Sequence, residues 1–388
     1  MQIKSYDILI VGCGFVGSVV AYLAAKKGKR VLILERREHI AGNMYDEVDS
    51  ETGITIQKYG PHSVKTENDR VYDFLTSVGE WYPFTLTARI SMLGKVVPAP
   101  FNHVAVDTFF DKEKAHAIKK RLAKVYRYAP KATIVELLKS DDPLIKEYAD
   151  FLFEHDYRPY TVKQWGISPD ELDISVLSRV PVRLDYTDRY FDDRYQMMPE
   201  GGFTAFFEKL LDSPLIDIEL NSDALKYLSV DLESGSLNFA GEKLEIPVVY
   251  TGPLDELFDL KYGKLPYRSL WFEFKTYNTD SFQEAQGVAH PLEDGYTRTT
   301  EYTKLPHQDG KGKTVVAYEY PAEYGSEKGK EPYYPILTEE SIQLHEQYAK
   351  MAGKIKNLHV GGRLADFKYY YMDQAVQRGL DLFENIPI

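Results

Sequence analysis

A chain of 388 residues with 44% apolar and 27% charged content is long enough for about two or three domains of roughly 100–200 residues each. Its 47 basic against 59 acidic side chains leave a net charge of −12, which argues against general nucleic-acid binding, since that needs a cationic surface. A single cysteine, Cys13, excludes an internal disulfide, and neither a signal segment nor a run of about 18 apolar residues is seen, so a cytoplasmic protein without a membrane span is expected.

In chain order, Tyr6 to Val11 (YDILIV) predicts a buried strand, Gly12 to Gly17 a turn, Phe15 to Lys27 a helix and Arg30 to Leu34 a second strand. The polar stretch after Glu35 carries a predicted hairpin turn at 49–53. Helical patterns run from Asp111 to Arg127, Thr133 to Leu138 and Leu144 to Phe153, and read as a helical insertion with solvated charged faces. Residues 214–250 return to short strands, and Tyr267 to Tyr320 alternates as antiparallel sheet does. A helix from Thr338 to Met351, a strand at 358–362 and a helix after Tyr371 close the chain. The expected fold is α/β. A Rossmann-like domain is assembled from both chain ends (about 1–85, 203–265 and 336–388). A helical insertion (about 100–178) and an antiparallel sheet domain (about 86–99, 179–202 and 266–335) lie between.

Gly12, Gly14 and Gly17 form G-x-G-x-x-G between a strand and a helix. The first glycine permits the tight turn, the second lets the backbone approach a pyrophosphate, and the third brings helix and strand close. Free N–H groups at the helix start then favour the phosphate charge. Glu35, 21 residues after Gly14, ends the second strand where a carboxylate can accept from a ribose. FAD fits better than NAD, because a second glycine-bearing turn (Arg36 to Asn43) follows at once and Gly361-Gly-Arg363 returns near the chain end. The nine histidines show no metal-ligand spacing, so no metal is expected. The 30 tyrosines suit sugar and ring binding as well as ordinary packing.

Further segments accumulate in order: Tyr59-Gly-Pro-His62, Pro100-Phe-Asn102, Tyr160-Thr-Val-Lys-Gln-Trp-Gly166, Pro181-Val-Arg183, Tyr190-Phe191, Tyr296-Thr-Arg298, Glu319-Tyr-Pro321 and Gly361-Gly-Arg-Leu-Ala365. With these the chain resembles the bacterial UDP-galactopyranose mutases over nearly its whole length. The resemblance implies an isomerase that interconverts the pyranose and furanose forms of a nucleotide-hexose, UDP-galactose first. Reduced flavin N5 attacks the anomeric carbon, and no net redox change results.

It also implies roles. Arg183 and Arg298 hold the diphosphate, with Tyr190, Tyr320 and Tyr369 on the phosphates. Tyr160 and Phe191 wall the uridine, Trp165 belongs to a mobile loop over the sugar, and Asn102 is an active-site asparagine. For the cofactor it points to Gly12, Gly14, Phe15, Gly17, Glu35, Arg36, Gly42, Asn43, Tyr59, His62, Arg268, Arg363, Tyr370, Tyr371 and Met372. Arg183, Arg298, His62 and Lys65 are the catalytic candidates.

Two positions depart from the family pattern. Lys65 stands where a second histidine is usual, and Tyr371 where an acid is usual, together a shift of two positive units near the pocket. That leaves a mutase for a deoxy, N-acetyl or dTDP-linked sugar as an alternative. An FAD oxidoreductase and a non-catalytic nucleotide-sugar-binding flavoprotein stay open as well. NAD(P)H or another reductant for the flavin, and a homodimer, complete the expected partners.

Overall fold

The computed structural model describes residues 3–169, 177–178 and 180–388. Positions 170–176 and 179, which fall in the expected helical insertion and at its border, lie outside the described residues.

The apolar runs near both ends of the chain meet in one parallel sheet. Its order is Ile216–Glu219, Val31–Leu34, Ile8–Val11, Val248–Tyr250 and Leu358–Val360. Alternation explains why these strands are apolar throughout. Ile8, Ile10 and Ile33 pack with Val16, Val20 and Leu382 from helices Phe15–Lys26 and Met372–Glu384. Leu9, Leu32 and Val248 face the other way, onto Leu254, Tyr348 and Met351. A parallel sheet covered on both faces has no solvent side to make polar. The strands also end at one edge, so the turns after Val11, Leu34, Tyr250 and Val360 open on one crevice, the usual ligand position in such sheets.

The second large sheet has seven strands, in the order Tyr334–Pro335, Tyr267–Tyr277, Thr314–Glu323, Arg298–Glu301, Gly287–Ala289, Ala88–Met92 and Lys95–Ala99. It is antiparallel except at one seam, where Gly287–Ala289 runs parallel to Ala88–Met92. That seam joins strands from either side of the helical region, and no hairpin dictates their direction. Tyr195–Pro199, expected in this sheet, pairs instead with Val64–Thr66 and Trp81–Pro83. Val182–Arg183 pairs with Lys131–Ala132 beside the helices. The expected turn at 49–53 does join antiparallel strands Asp46–Val48 and Thr55–Gln57.

The helices His103–Phe109, Lys112–Val125 and Pro143–Leu152 bury Val106, Ile118, Leu122, Ile145 and Leu152 against Ile90 and Val97 of the seven-stranded sheet. Helix Pro143–Leu152 continues through a π-helical turn, Phe153–Tyr157, into helix Arg158–Trp165. Pro159 has no N–H to give to the carbonyl four residues back, and the ladder widens just ahead of it. Among the described residues no helix is long and apolar enough to cross a membrane, and no three metal-ligating side chains cluster.

Candidate functional site

The crevice deepens into a cavity of about 580 Å³ that runs from the glycine turn, past His62 and Gly362, to Arg298 and on to Asp156 and Phe101. At the turn each glycine meets its own demand. Gly12 has φ +99°, and a Cβ there would sit 2.1 Å from the Thr251 hydroxyl. A Cβ on Gly17 would lie 2.1 Å from the Gly12 carbonyl oxygen. A Cβ on Gly14 would meet nothing within 4 Å, so that position serves the space in front of it rather than the packing behind.

The Glu35 carboxylate is buried and accepts the N–H groups of Cys13 at 2.8 Å and Arg37 at 2.9 Å. It therefore ties strand end to turn and retains lone pairs toward the cavity. Arg36, Gly42 and Asn43 line the same end, with Phe15 and Gly17. Arg37, which sequence reasoning passed over, lines it too. Arg37 binds Glu331 at 2.7 Å and Asn43 at 2.9 Å, lies over the Tyr59 ring, and keeps a buried Nη1 without a partner. The open space at Gly14 and this unpaired guanidinium nitrogen suit an anionic dinucleotide. Burial pushes the Cys13 thiol up to about 12, so it is inert here.

His62, Arg363, Tyr370, Tyr371 and Met372 line the middle of the cavity. His62 is anchored by its backbone: its N–H donates to Gln57 at 2.6 Å and its carbonyl accepts from the same amide at 3.1 Å. Burial first, then the Arg363 and Arg298 charges, lower its imidazole to about 3, so the ring is neutral near pH 7. Its Nδ1 is buried without a partner.

At the far end Arg298 is bound to Glu319, which is 3% exposed, and its buried Nε has no partner. Burial works against its charge, but the adjacent Glu319 carboxylate outweighs that and holds the guanidinium above its ordinary value. Around it stand Tyr160, Trp165, Tyr190, Phe191 and Tyr369, all on the wall. Tyr334 joins them, stacked on Tyr369 with ring centres 4.9 Å apart. Tyr334 and Glu319 received no role from sequence reasoning, although Glu319-Tyr-Pro321 belongs to the family pattern.

Six expected residues lie off the wall, each for a local reason. Arg183 is 4% exposed and its guanidinium is committed to Asp192 at 2.8 Å and the Arg189 carbonyl at 3.1 Å. Lys65 binds Asp193 at 3.2 Å and sits over the Tyr371 ring at 4.3 Å. Asp193 thus offsets one of the two positive units expected from Lys65 and Tyr371. Asn102 is fully buried as a helix cap, accepting from the Val104 N–H and donating to the Thr187 carbonyl. Tyr320 stacks on Trp271 at 4.0 Å and donates to Glu273. Tyr59 is hydrogen-bonded to His39 beneath Arg37. Arg268 donates to the Gln164 carbonyl, behind the helix that carries Trp165.

Comparison with known proteins agrees with this layout. A family model of an NAD(P)-binding Rossmann-like domain matches residues 10–78, and one of UDP-galactopyranose mutase matches residues 156–369, more than half of the chain. A UDP-galactopyranose mutase of Mycoplasma genitalium is 36% identical over 97% of this chain and 93% of its own. A dTDP-fucopyranose mutase of Escherichia coli is 31% identical over 96% of each. A crystal structure of reduced UDP-galactopyranose mutase shares the fold, with a TM-score of 0.73 at 16% identity, over 98% of this chain and 93% of that one. With its dinucleotide turn and its arginine–tyrosine chamber in one cavity, the chain belongs to the UDP-galactopyranose mutase family.

Proposed function

We propose that the chain binds FAD along the cavity, adenosine at Glu35 and flavin near His62 and Arg363, and interconverts UDP-galactopyranose and UDP-galactofuranose. One observation carries the reading: the open Gly14 turn and the Arg298 chamber belong to one cavity, so cofactor and nucleotide-sugar meet in it. When bound and reduced, the flavin supplies the nucleophile toward the anomeric carbon.

The protein's own residues do the rest. Arg298 takes the diphosphate and stabilises the charge that grows as UDP departs. Glu319 keeps Arg298 in place. The stacked Tyr334 and Tyr369, with Trp165, shield the reacting sugar from water. His62, neutral, serves as a hydrogen-bonding group at the flavin and not as a cationic acid. Arg183 reaches the diphosphate only by exchanging Asp192 for phosphate. Asn102 and Arg268 position the backbone around the chamber, Tyr320 supports it from behind, and Tyr59 supports Arg37 at the dinucleotide end. Lys65 acts on the chamber through Tyr371. The division into a two-ended dinucleotide domain, a helical insertion and a sheet domain belongs to this reading. So do a cytoplasmic location, NAD(P)H or another reductant, and a homodimer.

A second reading, a dTDP-linked deoxysugar as substrate, is favoured by the Escherichia coli relative. The test is to reduce the protein with dithionite and offer UDP-galactopyranose, UDP-galactofuranose and dTDP-fucopyranose, following products by chromatography. Turnover of the UDP pair only after reduction is expected. Product formed in air without reductant would overturn the proposal.

A further inference from the structure

Asp156 has no place in the roles above. It sits in the π-helical turn Phe153–Tyr157 and lines the cavity. Its carboxyl forms no hydrogen bond or ion pair with any described residue, although other acids around the cavity, such as Glu35 and Glu319, are engaged. Its surroundings are weakly polar: Tyr157, Phe101, Ile90 and Val180 share the wall. Asp156 is one turn before Tyr160, so both project from the same helix face, and Tyr160 feels both Asp156 and Arg298.

Direction along the cavity follows from that order. A nucleotide with its diphosphate at Arg298 and its sugar toward the cofactor must send its base the other way, past Tyr160. We propose that the Asp156 carboxyl reads the base of the bound nucleotide, its O–H donating to a ring carbonyl and its C=O accepting the adjacent imide N–H of uracil or thymine. This rests on the nucleotide-sugar reading and deepens it. A protonated carboxyl presents one donor beside one acceptor, the complement of an imide edge. An ionised one presents two acceptors and would suit the N1–H and N2–H edge of guanine.

Which form is present depends on the neighbourhood. Burial raises the Asp156 carboxyl to about 7, with no cation among the described residues opposing it. Among the described residues, the ionisable groups that interact with it are Tyr157 and Tyr160 on its own helix; Tyr148 on the helix before and Tyr190 on the facing loop lie against Tyr157 in turn. Across the cavity, Arg298 is held by Glu319 and Arg89 by Asp188. A stacked base would remove the remaining water and favour the protonated form further.

The test is equilibrium binding of UDP, dTDP and GDP to the FAD-loaded protein, its Asp156→Asn and its Asp156→Leu variants, at pH 6 and 8.5. Asn keeps one donor and one acceptor without titrating, so it also references the titration of UDP's own phosphate. The wild type should bind UDP and dTDP well ahead of GDP, and should lose several-fold more UDP affinity than Asp156→Asn on going to pH 8.5. Asp156→Leu should bind UDP about tenfold more weakly at both pH values and discriminate less against GDP. UDP binding unchanged in Asp156→Leu overturns the assignment alone, as does a wild-type preference for GDP. A wild type that binds none of the three overturns both this and the reading beneath it.

Discussion

Arg298 and Arg183 carry the same charge in opposite circumstances. Arg298 faces the cavity with a spare buried Nε, whereas the Arg183 guanidinium lies off the cavity wall, bound to Asp192 and a carbonyl. Arg298→Lys keeps a cation beside Glu319 but loses the planar fork that matches phosphate. The fold should persist and the UDP dissociation constant should rise about tenfold, the equivalent of ~1.4 kcal/mol. Arg183→Lys should alter UDP affinity less and Tm more.

Lys65 and Tyr371 are in direct contact, with Lys65 also 5.6 Å from the Phe191 ring. A double-mutant cycle with Lys65→Met and Tyr371→Leu, read by urea unfolding, should return a coupling of about 0.5–2 kcal/mol. Additive single effects would mean that the two substitutions are unrelated. His62 supplies a pH signature. Its imidazole titrates near 6.5 when unfolded and near about 3 when folded, so between these values the unfolded chain binds more protons and stability rises with pH. His62→Gln should therefore lose less Tm than the wild type between pH 7 and pH 5.

At the scale of elements, the glycine turn separates folding from cofactor binding. Gly17 cannot take a Cβ, because the Gly12 carbonyl stands 2.1 Å from where it would sit, so Gly17→Ala should lower Tm by many degrees. Gly14, the N-cap of helix Phe15–Lys26 at φ −84°, has ordinary backbone and open space. Gly14→Ala should fold with a near-native apoprotein Tm and lose FAD, measured as flavin released on gel filtration. Equal flavin retention would mean that the turn does not approach the cofactor. The helix Pro143–Leu152 is extended by a π-helical turn, and that turn carries Asp156 on the cavity wall.

Over the whole molecule, ion pairs tie the two ends of the chain around the crevice. Glu331 binds Arg36 at 2.9 Å and Arg37 at 2.7 Å, joining the second glycine-bearing turn to a loop 294 residues away. Burial would raise the Glu331 carboxyl, but the two guanidinium groups outweigh it and hold it below its ordinary value. That pairing contributes stability at neutral pH and loses it on acidification through the folded value. Glu331→Gln should lower Tm at pH 7, narrow the difference from wild type in acid, and speed FAD dissociation.

The sequence by itself determined the parts whose physics is local. G-x-G-x-x-G with flanking apolar strands implies the dinucleotide turn because each glycine's constraint comes from residues a few positions away or from the ligand. Arg298, Tyr160, Trp165 and Tyr369 were legible as chamber residues only through ordered family motifs, since nothing in an isolated Y-T-R says which way an arginine points. Tertiary structure decided everything that depends on partners distant in the chain. It gave Arg183 to Asp192 and Lys65 to Asp193 and Tyr371, moved Tyr195–Pro199 to another sheet, and turned the Gly287–Ala289 seam parallel. It also left the Asp156 carboxyl in the cavity without a hydrogen bond or ion pair to any described residue, because an acid's protonation and purpose depend on which neighbours the fold brings to it, and composition does not record them.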